Sequence, residues 1–114
     1  MMVGIDILEI KRMKKFVNNI ILLKSVFTDK EIEYFARFQD PIERITGCFC
    51  AKEAVQKAFS CPKDLSLKNI EVLHKENGKP YINFVNLSKY HNYNIDISIS
   101  HSKTVACAIC HVKD

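Results

Sequence analysis

Residues 48–59 decide the fold and read Cys-Phe-Cys-Ala-Lys-Glu-Ala-Val-Gln-Lys-Ala-Phe. They fall late in a helical pattern that begins at Asp40-Pro41. Asp40 is placed to cap this helix, Pro41 takes the first helical position, and Glu43 completes a capping box. From Ile42 to Phe59 the helix would span about 27 Å at about 1.5 Å per residue. Apolar residues recur at helical spacing on more than one face, so the sequence predicts a long, mostly buried helix.

Polar side chains interrupt the apolar surface of this helix at Lys52, Glu53, Gln56 and Lys57. Glu53 and Lys57 are four residues apart and therefore lie on the same side of the helix. Taken alone, this pattern is typical of a solvated edge that carries one ion pair. Whether these polar residues have a function depends on which residues elsewhere in the chain could join them.

Length and charge limit the class of protein. The chain has 114 residues, enough for one domain over 1–114 but too few for two catalytic lobes, so a deep cleft would need a second copy of the chain as one wall. Seventeen Lys and Arg against thirteen Asp and Glu suggest an acidic or phosphorylated partner and do not argue for nucleic acid. With no apolar run of about eighteen residues and no signal-like start, we expect a cytosolic (cytoplasmic) protein that has no membrane partner and keeps its five cysteines reduced.

The remaining pattern predicts an α+β fold with helices in the first half and an antiparallel sheet mostly in the second, packed against the long central helix. The apolar, β-branched segment 2–10 predicts a strand that joins this sheet. An amphipathic basic helix follows it, and a capping box at Thr28 to Glu31 starts a short helix through about Phe38. Later strands are predicted at 70–74, 81–85, 95–99 and 104–112, with a turn at 76–80 and a short helix within 86–93.

Asp6 is the one charge in the first strand before Glu9, and such a position is costly for a carboxylate. A buried Asp must be paired, hydrogen-bonded or bound to a metal. Asp6 is therefore either a structural cap at the strand end or a metal ligand, and the residues alone leave both open.

One tempting motif is rejected. Cys107-Ala-Ile-Cys110-His111 matches the pattern for covalent haem attachment. In an alternating strand Cys107 and Cys110 point to opposite faces, so both could not reach one porphyrin edge. A zinc site is rejected as well, because Cys48 and Cys50 face different ways on a helix and no second ligand pair has suitable spacing. Cys107 and Cys110 are interpreted as small apolar fillers.

Four segments carry a family resemblance when they are read together. They are Gly4-Ile-Asp6-Ile-Leu-Glu9, residues 49–58, Asn77-Gly-Lys-Pro80-Tyr and Ser98-Ile-Ser-His101-Ser. Their order and spacing resemble the holo-acyl-carrier-protein synthases, the small class of phosphopantetheinyl transferases, over nearly the whole chain. The resemblance implies transfer of 4'-phosphopantetheine from coenzyme A to a serine of apo acyl carrier protein, with release of 3',5'-ADP, in fatty acid biosynthesis. It also implies Mg²⁺ as cofactor and a homotrimer with active sites between subunits.

The resemblance implies catalytic roles for Asp6, Glu53 and Lys57. Asp6 and Glu53 would supply the carboxylates that hold Mg²⁺, a metal often bound by one or two carboxylates plus substrate phosphates. Lys57 would neutralise charge on the diphosphate and help orient the nucleophile. Either Glu53 or a metal-bound water could take the serine proton, and we favour the carboxylate acting through water.

The resemblance places Lys57, Gly78, Pro80 and His101 in coenzyme A binding. His101 would contact a phosphate, in its own site or in that of a neighbouring subunit. The alternative for His101 is a capping or core histidine. The alternative for Gly78 and Pro80 is that they form an ordinary hairpin turn with no role in binding.

The basic helix has a candidate partner in the acidic acyl carrier protein. Its positive side chains would steer that partner, with Met13 or Phe16 as an apolar contact; they are Lys11, Arg12, Lys14 and Lys15. The alternative is a solvated face. One departure from many relatives is Ser60-Cys61-Pro62, which stands where they have a glycine-bearing loop near the phosphates.

Two other functions stay open at this point. The first is a non-catalytic basic α/β module that binds nucleic acid or an acidic protein through the first helix, for which Asp6 and Glu53 would be dispensable. The second is a degenerate structural homologue, which the presence of both carboxylates disfavours.

Overall fold

A computed structural model describes residues 2–113. Its α+β architecture, with the helices clustered in the first half, confirms the predicted fold class. In chain order the elements are β1 (Met2–Glu9), a basic 3₁₀ helix (Ile10–Phe16), α1 (Ile20–Val26), α2 (Asp29–Phe35), α3 (Ile42–Ala58), a 3₁₀ turn (Leu67–Asn69), β2 (Ile70–His74), β3 (Pro80–Phe84), a 3₁₀ turn (Ser88–Tyr90), β4 (Asn94–His101) and β5 (Val105–Lys113).

The strands form two antiparallel sheets instead of the single sheet predicted. One sheet has the spatial order β1-β5-β4, and the β2-β3 hairpin forms the other. Asp6 on β1 pairs with Ala108 on β5, and Ala108 pairs in turn with Ile99 on β4. These three residues therefore lie in one row across the sheet, and β1 and β4 form its two edges.

Helix α3 crosses one face of the three-stranded sheet, and glycines allow the close approach. A side chain at Gly4 would overlap the backbone carbonyl of Ala54, so the helix and β1 can meet only at a glycine. Nearer the start of the helix, Gly47 packs against Ile99 of β4. The first half of α3 thus lies over the β4 edge, and its second half lies over the β1 edge.

The start of α3 differs in detail from the prediction. The Asp40 carboxylate accepts a hydrogen bond from the Ile42 backbone N–H at 3.3 Å, but Pro41 immediately precedes the first helical residue. No capping box forms there, because the Glu43 carboxylate contacts His101 instead. The predicted helix is otherwise confirmed, and it is buried on most of its surface.

Other helix predictions are confirmed or corrected by local geometry. The capping box at Thr28 is present and begins α2, which ends at Phe35 and not near Phe38. The basic segment is a 3₁₀ helix, and the helix expected within 86–93 is a single 3₁₀ turn. None of the helices within the described residues has the length and apolar character required to span a bilayer.

Candidate active site

The β1 edge of the sheet brings together Asp6, Glu53 and Lys57, three predicted site residues that we call the carboxylate edge. Lys57 Nζ donates to Asp6 Oδ1 at 3.0 Å and to the Ile5 carbonyl oxygen at 3.1 Å. Burial, and next the negative charge of Asp6, raise the pKa of Glu53. The two carboxylates, distant along the chain, are therefore near enough to repel one another.

Lys57 holds its positive charge firmly at this edge. The hydrogen bond to Asp6, and then the charge of the same carboxylate, raise the pKa of Lys57. Its side chain remains 48% exposed, whereas that of Asp6 is 15% exposed. The ammonium group is thus anchored on one side and open to a ligand on the other.

A second group of predicted residues lines a cleft of about 350 Å³ beside the start of α3, which we call the helix-start cleft. Gly78, Pro80 and His101 all line it, as the prediction of a shared coenzyme A pocket requires. Gly78 has a φ of 89°, in the left-handed region that glycine adopts readily, and forms the hairpin turn. His101 Nδ1 lies 3.3 Å from Glu43 Oε2.

Three side chains in the helix-start cleft were not singled out from the sequence, namely Tyr34, Arg44 and His74. The rings of Tyr34 and His74 stack with centroids 4.0 Å apart and planes 9° from parallel. Burial, followed by the nearby charges of Arg44 and Arg37, lowers the pKa of His74, which is therefore uncharged at neutral pH. Their spacing in the sequence gives no signal, since they meet only through the packing of α2, α3 and β2.

The carboxylate edge and the helix-start cleft lie at opposite edges of the three-stranded sheet. Asp6 is on β1 and His101 is at the end of β4, with β5 between the two strands. Two strand spacings separate these edges by about 10 Å. Lys57 is therefore apart from Gly78, Pro80 and His101, with which the prediction had grouped it for coenzyme A binding.

Comparison with known proteins identifies the family. The family model of the 4'-phosphopantetheinyl transferase superfamily matches residues 2–110. The chain belongs to this superfamily. It is 46% identical over 112 residues to a holo-[acyl-carrier-protein] synthase from Clostridium botulinum (strain Eklund 17B / Type B), covering 93% of this chain and 91% of that relative.

Solved structures agree with this family assignment. A holo-(acyl-carrier-protein) synthase from Bacillus anthracis in complex with CoA (3',5'-ADP) has a TM-score of 0.84 and 30% identity, covering 97% of this chain and 94% of that one. The Helicobacter pylori synthase in complex with coenzyme A has a TM-score of 0.82 and 29% identity, covering 98% and 100%. The predicted fold and phosphopantetheinyl transferase activity class are confirmed, and the non-catalytic alternatives are set aside.

The donor set of the transferase fits a magnesium ion that relies on its substrate for further ligands. Within residues 2–113 no group of three or more His, Cys, Asp or Glu side chains could hold a metal by itself. Mg²⁺ suits such a site because it keeps several waters and accepts substrate phosphates as ligands. Cys50 lies beside Asp6, but burial and the Asp6 carboxylate raise the pKa of its thiol to about 12, so it offers no thiolate.

The basic 3₁₀ helix of the transferase exposes all four predicted docking side chains, Lys11, Arg12, Lys14 and Lys15. The suggested apolar contact is wrong, because Met13 and Phe16 are only 3% and 5% exposed and belong to the core. Exposed apolar side chains occur instead at the start of α1, where Ile20 is 50% and Ile21 is 83% exposed.

The loop that departs from the family pattern keeps a backbone path suited to glycine. Ser60 and Cys61 have φ values of 63° and 51°, in the left-handed region. Residues with a Cβ can adopt this region, although at an energetic cost. The replacement of glycine by Ser60 and Cys61 therefore does not imply a different local backbone. The Cys61 N–H donates to the Gln56 carbonyl oxygen at 2.7 Å and holds the turn in place.

Lys52 is the polar helix residue whose place the sequence did not reveal. Its side chain is fully buried and pairs with Glu31 at 2.7 Å. Lys52 Nζ also donates to the carbonyl oxygens of Leu67 and Ile70 at 2.9 and 2.6 Å. The neighbouring Glu53 lies at the carboxylate edge instead, so one residue of helical rotation separates a buried, fully paired charge from a charge beside Asp6.

Proposed function

We propose that this transferase moves 4'-phosphopantetheine from coenzyme A to a serine of apo acyl carrier protein and releases 3',5'-ADP, in fatty acid biosynthesis. Residues 1–114 would act as one transferase domain. The observation that carries the proposal is the meeting of Asp6, Glu53 and Lys57 at one edge of the sheet. The synthase names of the relatives and the coenzyme A complexes of two structural neighbours support it.

Asp6 and Glu53 would hold the magnesium ion. When bound, Mg²⁺ would neutralise charge on the diphosphate of coenzyme A and polarise the reacting phosphoryl group. Lys57 binds the same diphosphate, because its ammonium is charged, half-exposed and fixed next to Asp6. These groups position the reactants and stabilise developing negative charge, which supplies most of the catalysis in phosphoryl transfer.

The proton of the carrier serine passes to Glu53 through a water molecule. Burial and the Asp6 charge raise the pKa of Glu53, so it is a better proton acceptor than an ordinary surface glutamate. The serine oxygen forms a bond to the phosphorus that bears pantetheine. The bond from that phosphorus to the bridging oxygen breaks, and 3',5'-ADP leaves with that oxygen.

A homotrimer would complete the site. The carboxylate edge and the helix-start cleft lie at opposite edges of one sheet. Head-to-tail contact between copies would therefore place the carboxylate edge of each subunit next to the helix-start cleft of its neighbour. Such heterologous contacts close into rings. The sheet face turned away from α3 is apolar and exposed, as an interface between copies requires, with Val3 60%, Ile5 63%, Ile7 70% and Ile109 43% exposed.

The basic 3₁₀ helix would steer the acidic carrier protein, with Ile21 as the apolar contact. Attraction between exposed charges accelerates association and weakens as salt screens it. We propose a cytoplasmic enzyme with no nucleic acid or membrane partner.

The test is to incubate the protein with apo acyl carrier protein, coenzyme A and Mg²⁺ and to weigh the carrier by mass spectrometry. The carrier should gain the mass of one phosphopantetheine group, and EDTA should prevent the gain. A folded sample that modifies none of several carriers would contradict the function. Sedimentation of the protein, with Ile5→Glu as an interface variant, tests the trimer separately.

A further inference from the structure

Three side chains of α3 approach Asp6 from the same side of the helix. They stand at positions 50, 53 and 57, and this spacing of three and four residues places side chains in one row along a helix. Two of them, Glu53 and Lys57, belong to the carboxylate edge. The third is Cys50, which is fully buried and is not among the groups that act in the proposed reaction.

The Cys50 thiol lies between Asp6 and the central strand of the sheet. Its Sγ is 3.6 Å from the Ala106 carbonyl oxygen on β5, and a thiol donates weak hydrogen bonds of this kind. Burial raises the pKa of Cys50 to about 12, and the charge of Asp6 and a hydrogen bond to that carboxylate add to the rise. The thiol is therefore neutral, and its one proton has two acceptors, the Ala106 carbonyl oxygen and Asp6.

Asp6 has different surroundings on its exposed and buried sides. Its side chain is only 15% exposed, and its ion pair with Lys57 lies toward solvent, since Lys57 is 48% exposed. On the helix it also meets Glu53, a second negative charge that repels it. A nearly buried carboxylate is held in one orientation by the donors around it. Cys50 is a donor on the buried side that brings no charge of its own.

We infer that Cys50 is a positioning residue, whose thiol proton holds the Asp6 carboxylate in the orientation that binds Mg²⁺. This inference rests on the proposed function, in which Asp6 and Glu53 hold the metal. Loss of a group that orients a metal ligand commonly weakens metal binding about 10- to 100-fold. Because a thiol is a weak donor, we expect a smaller effect here, about 3- to 10-fold.

The first experiment measures metal binding without transfer. Mn²⁺ replaces Mg²⁺, since both ions prefer oxygen ligands, and electron paramagnetic resonance measures the free ion in the presence of coenzyme A. Cys50→Ala should weaken Mn²⁺ binding about 3- to 10-fold, because Asp6 is then free to turn. Cys50→Ser keeps a donor in the same place and should recover most of the loss. Cys110→Ala is the matched control, since Cys110 is equally buried and burial alone raises the pKa of its thiol.

The second experiment separates positioning of Asp6 from a general loss of packing. In the transfer reaction Cys50→Ala should raise the Mg²⁺ concentration that gives half the maximal rate, by the same factor as it weakens Mn²⁺ binding. The rate at saturating Mg²⁺ should change by less than about twofold. Cys110→Ala loses a buried thiol as well, but should keep the wild-type Mg²⁺ dependence. The same Mg²⁺ dependence in Cys50→Ala and Cys110→Ala would overturn the inference.

A third measurement leaves Cys50 unchanged, so it covers the case in which Cys50→Ala does not fold. The S–H stretching band of a thiol moves to lower frequency when the thiol donates a hydrogen bond. Infrared spectra should show one S–H band at higher frequency in Asp6→Asn than in wild type, because a neutral amide is a weaker acceptor than a carboxylate. An identical S–H region in the two proteins would overturn the inference.

The role of Cys50 and the transferase function can fail separately. If Cys50→Ala weakens Mn²⁺ binding but the wild-type protein modifies no carrier, the function fails and the role of Cys50 stands. If the carrier is modified and all the variants bind Mn²⁺ as tightly as wild type does, the role of Cys50 fails and the function stands.

Discussion

Helix α3 carries two lysines, five residues apart, whose ion pairs differ in burial. Lys52 pairs with Glu31 at 2.7 Å, and both side chains are fully buried. Lys57 pairs with Asp6 at 3.0 Å, and its side chain is 48% exposed. We call the first pair, with the groups that bind to it, the buried charge cluster, and compare it with the carboxylate edge.

The buried charge cluster is saturated by protein partners. Glu31 accepts hydrogen bonds from the backbone N–H of Thr28 and of Val72 and from the Cys48 thiol. Lys52 donates to two backbone carbonyl oxygens in addition to Glu31. Buried charges are tolerated when every donor and acceptor has a partner, so this cluster fixes how α2, α3 and β2 pack.

The carboxylate edge is left incomplete by the protein. Two carboxylates meet there with one lysine, and burial together with their mutual repulsion raises the pKa of Glu53. A cation and a phosphate-bearing substrate would satisfy these groups. The charges of the buried cluster are thus fully paired within the chain, whereas the charges of the carboxylate edge, which we propose act on the substrate, are left short of partners.

The largest expected effect is on stability, from the buried charge cluster. Lys52→Met leaves Glu31 charged and buried without its cation, and should lower the free energy of unfolding by about 3–5 kcal/mol. Lys57→Met is the matched control, since an exposed pair contributes at most about 1 kcal/mol. Urea unfolding of both variants measures the difference. Equal losses would show that the two pairs do not differ in kind.

The next effect is on transfer, from the carboxylate edge. Glu53→Gln keeps the shape of the side chain but removes its charge and proton affinity, and should lower the rate about 10²- to 10⁴-fold while the fold remains intact. Glu33→Gln removes an exposed carboxylate elsewhere and should transfer at the wild-type rate. A Glu53→Gln protein that modifies the carrier normally would remove Glu53 from the mechanism.

A smaller effect on transfer is expected at Lys57. Lys57→Ala removes a charged donor to the diphosphate and should lower kcat/KM for coenzyme A about 10- to 100-fold. Lys57→Arg keeps the charge and should recover part of the loss. If the carrier KM changes in Lys57→Ala while the coenzyme A KM does not, the lysine acts on carrier binding and the assignment to the diphosphate is wrong.

The sequence was sufficient to predict α3, because its periodicity and length are local properties. It also singled out Asp6, since a carboxylate within an apolar strand requires a partner, and the family resemblance joined it to Glu53. It could not distinguish Lys52 from its neighbours on α3. The burial of Lys52 depends on Glu31 and on two carbonyl oxygens that reach it only through tertiary packing.

Predictions of pairing between distant segments were less accurate for the same reason. Each strand was found near its place, but one sheet was expected and two are present. The helix-start cleft likewise joins Arg44, His74 and Gly78 from three separate segments, and no spacing in the chain connects them. Met13 and Phe16 were expected to contact the carrier, yet their spacing reports only that they share a face, and that face is turned to the core.

The smallest expected effect is a pH dependence of stability without metal. Folding raises the pKa of Glu53 above its ordinary value of 4.5, so the folded state holds this proton more tightly than the unfolded state. Ionised Glu53 therefore destabilises the fold, and stability declines as the pH rises from 4.5 through the raised pKa. Glu53→Gln removes this destabilising charge and should be more stable than wild type at pH 7 in EDTA.

The difference should shrink as the pH falls below 4.5, where Glu53 becomes protonated in both the folded and the unfolded state of the wild-type protein. Denaturant unfolding at several pH values, with Glu33→Gln as the control, measures it. A Glu53→Gln protein that is less stable than wild type at pH 7 would place Glu53 with Lys52 among the charges that build the fold. The opposite result would show that the transferase keeps this carboxylate at a cost in stability, as expected of a group retained for its substrate.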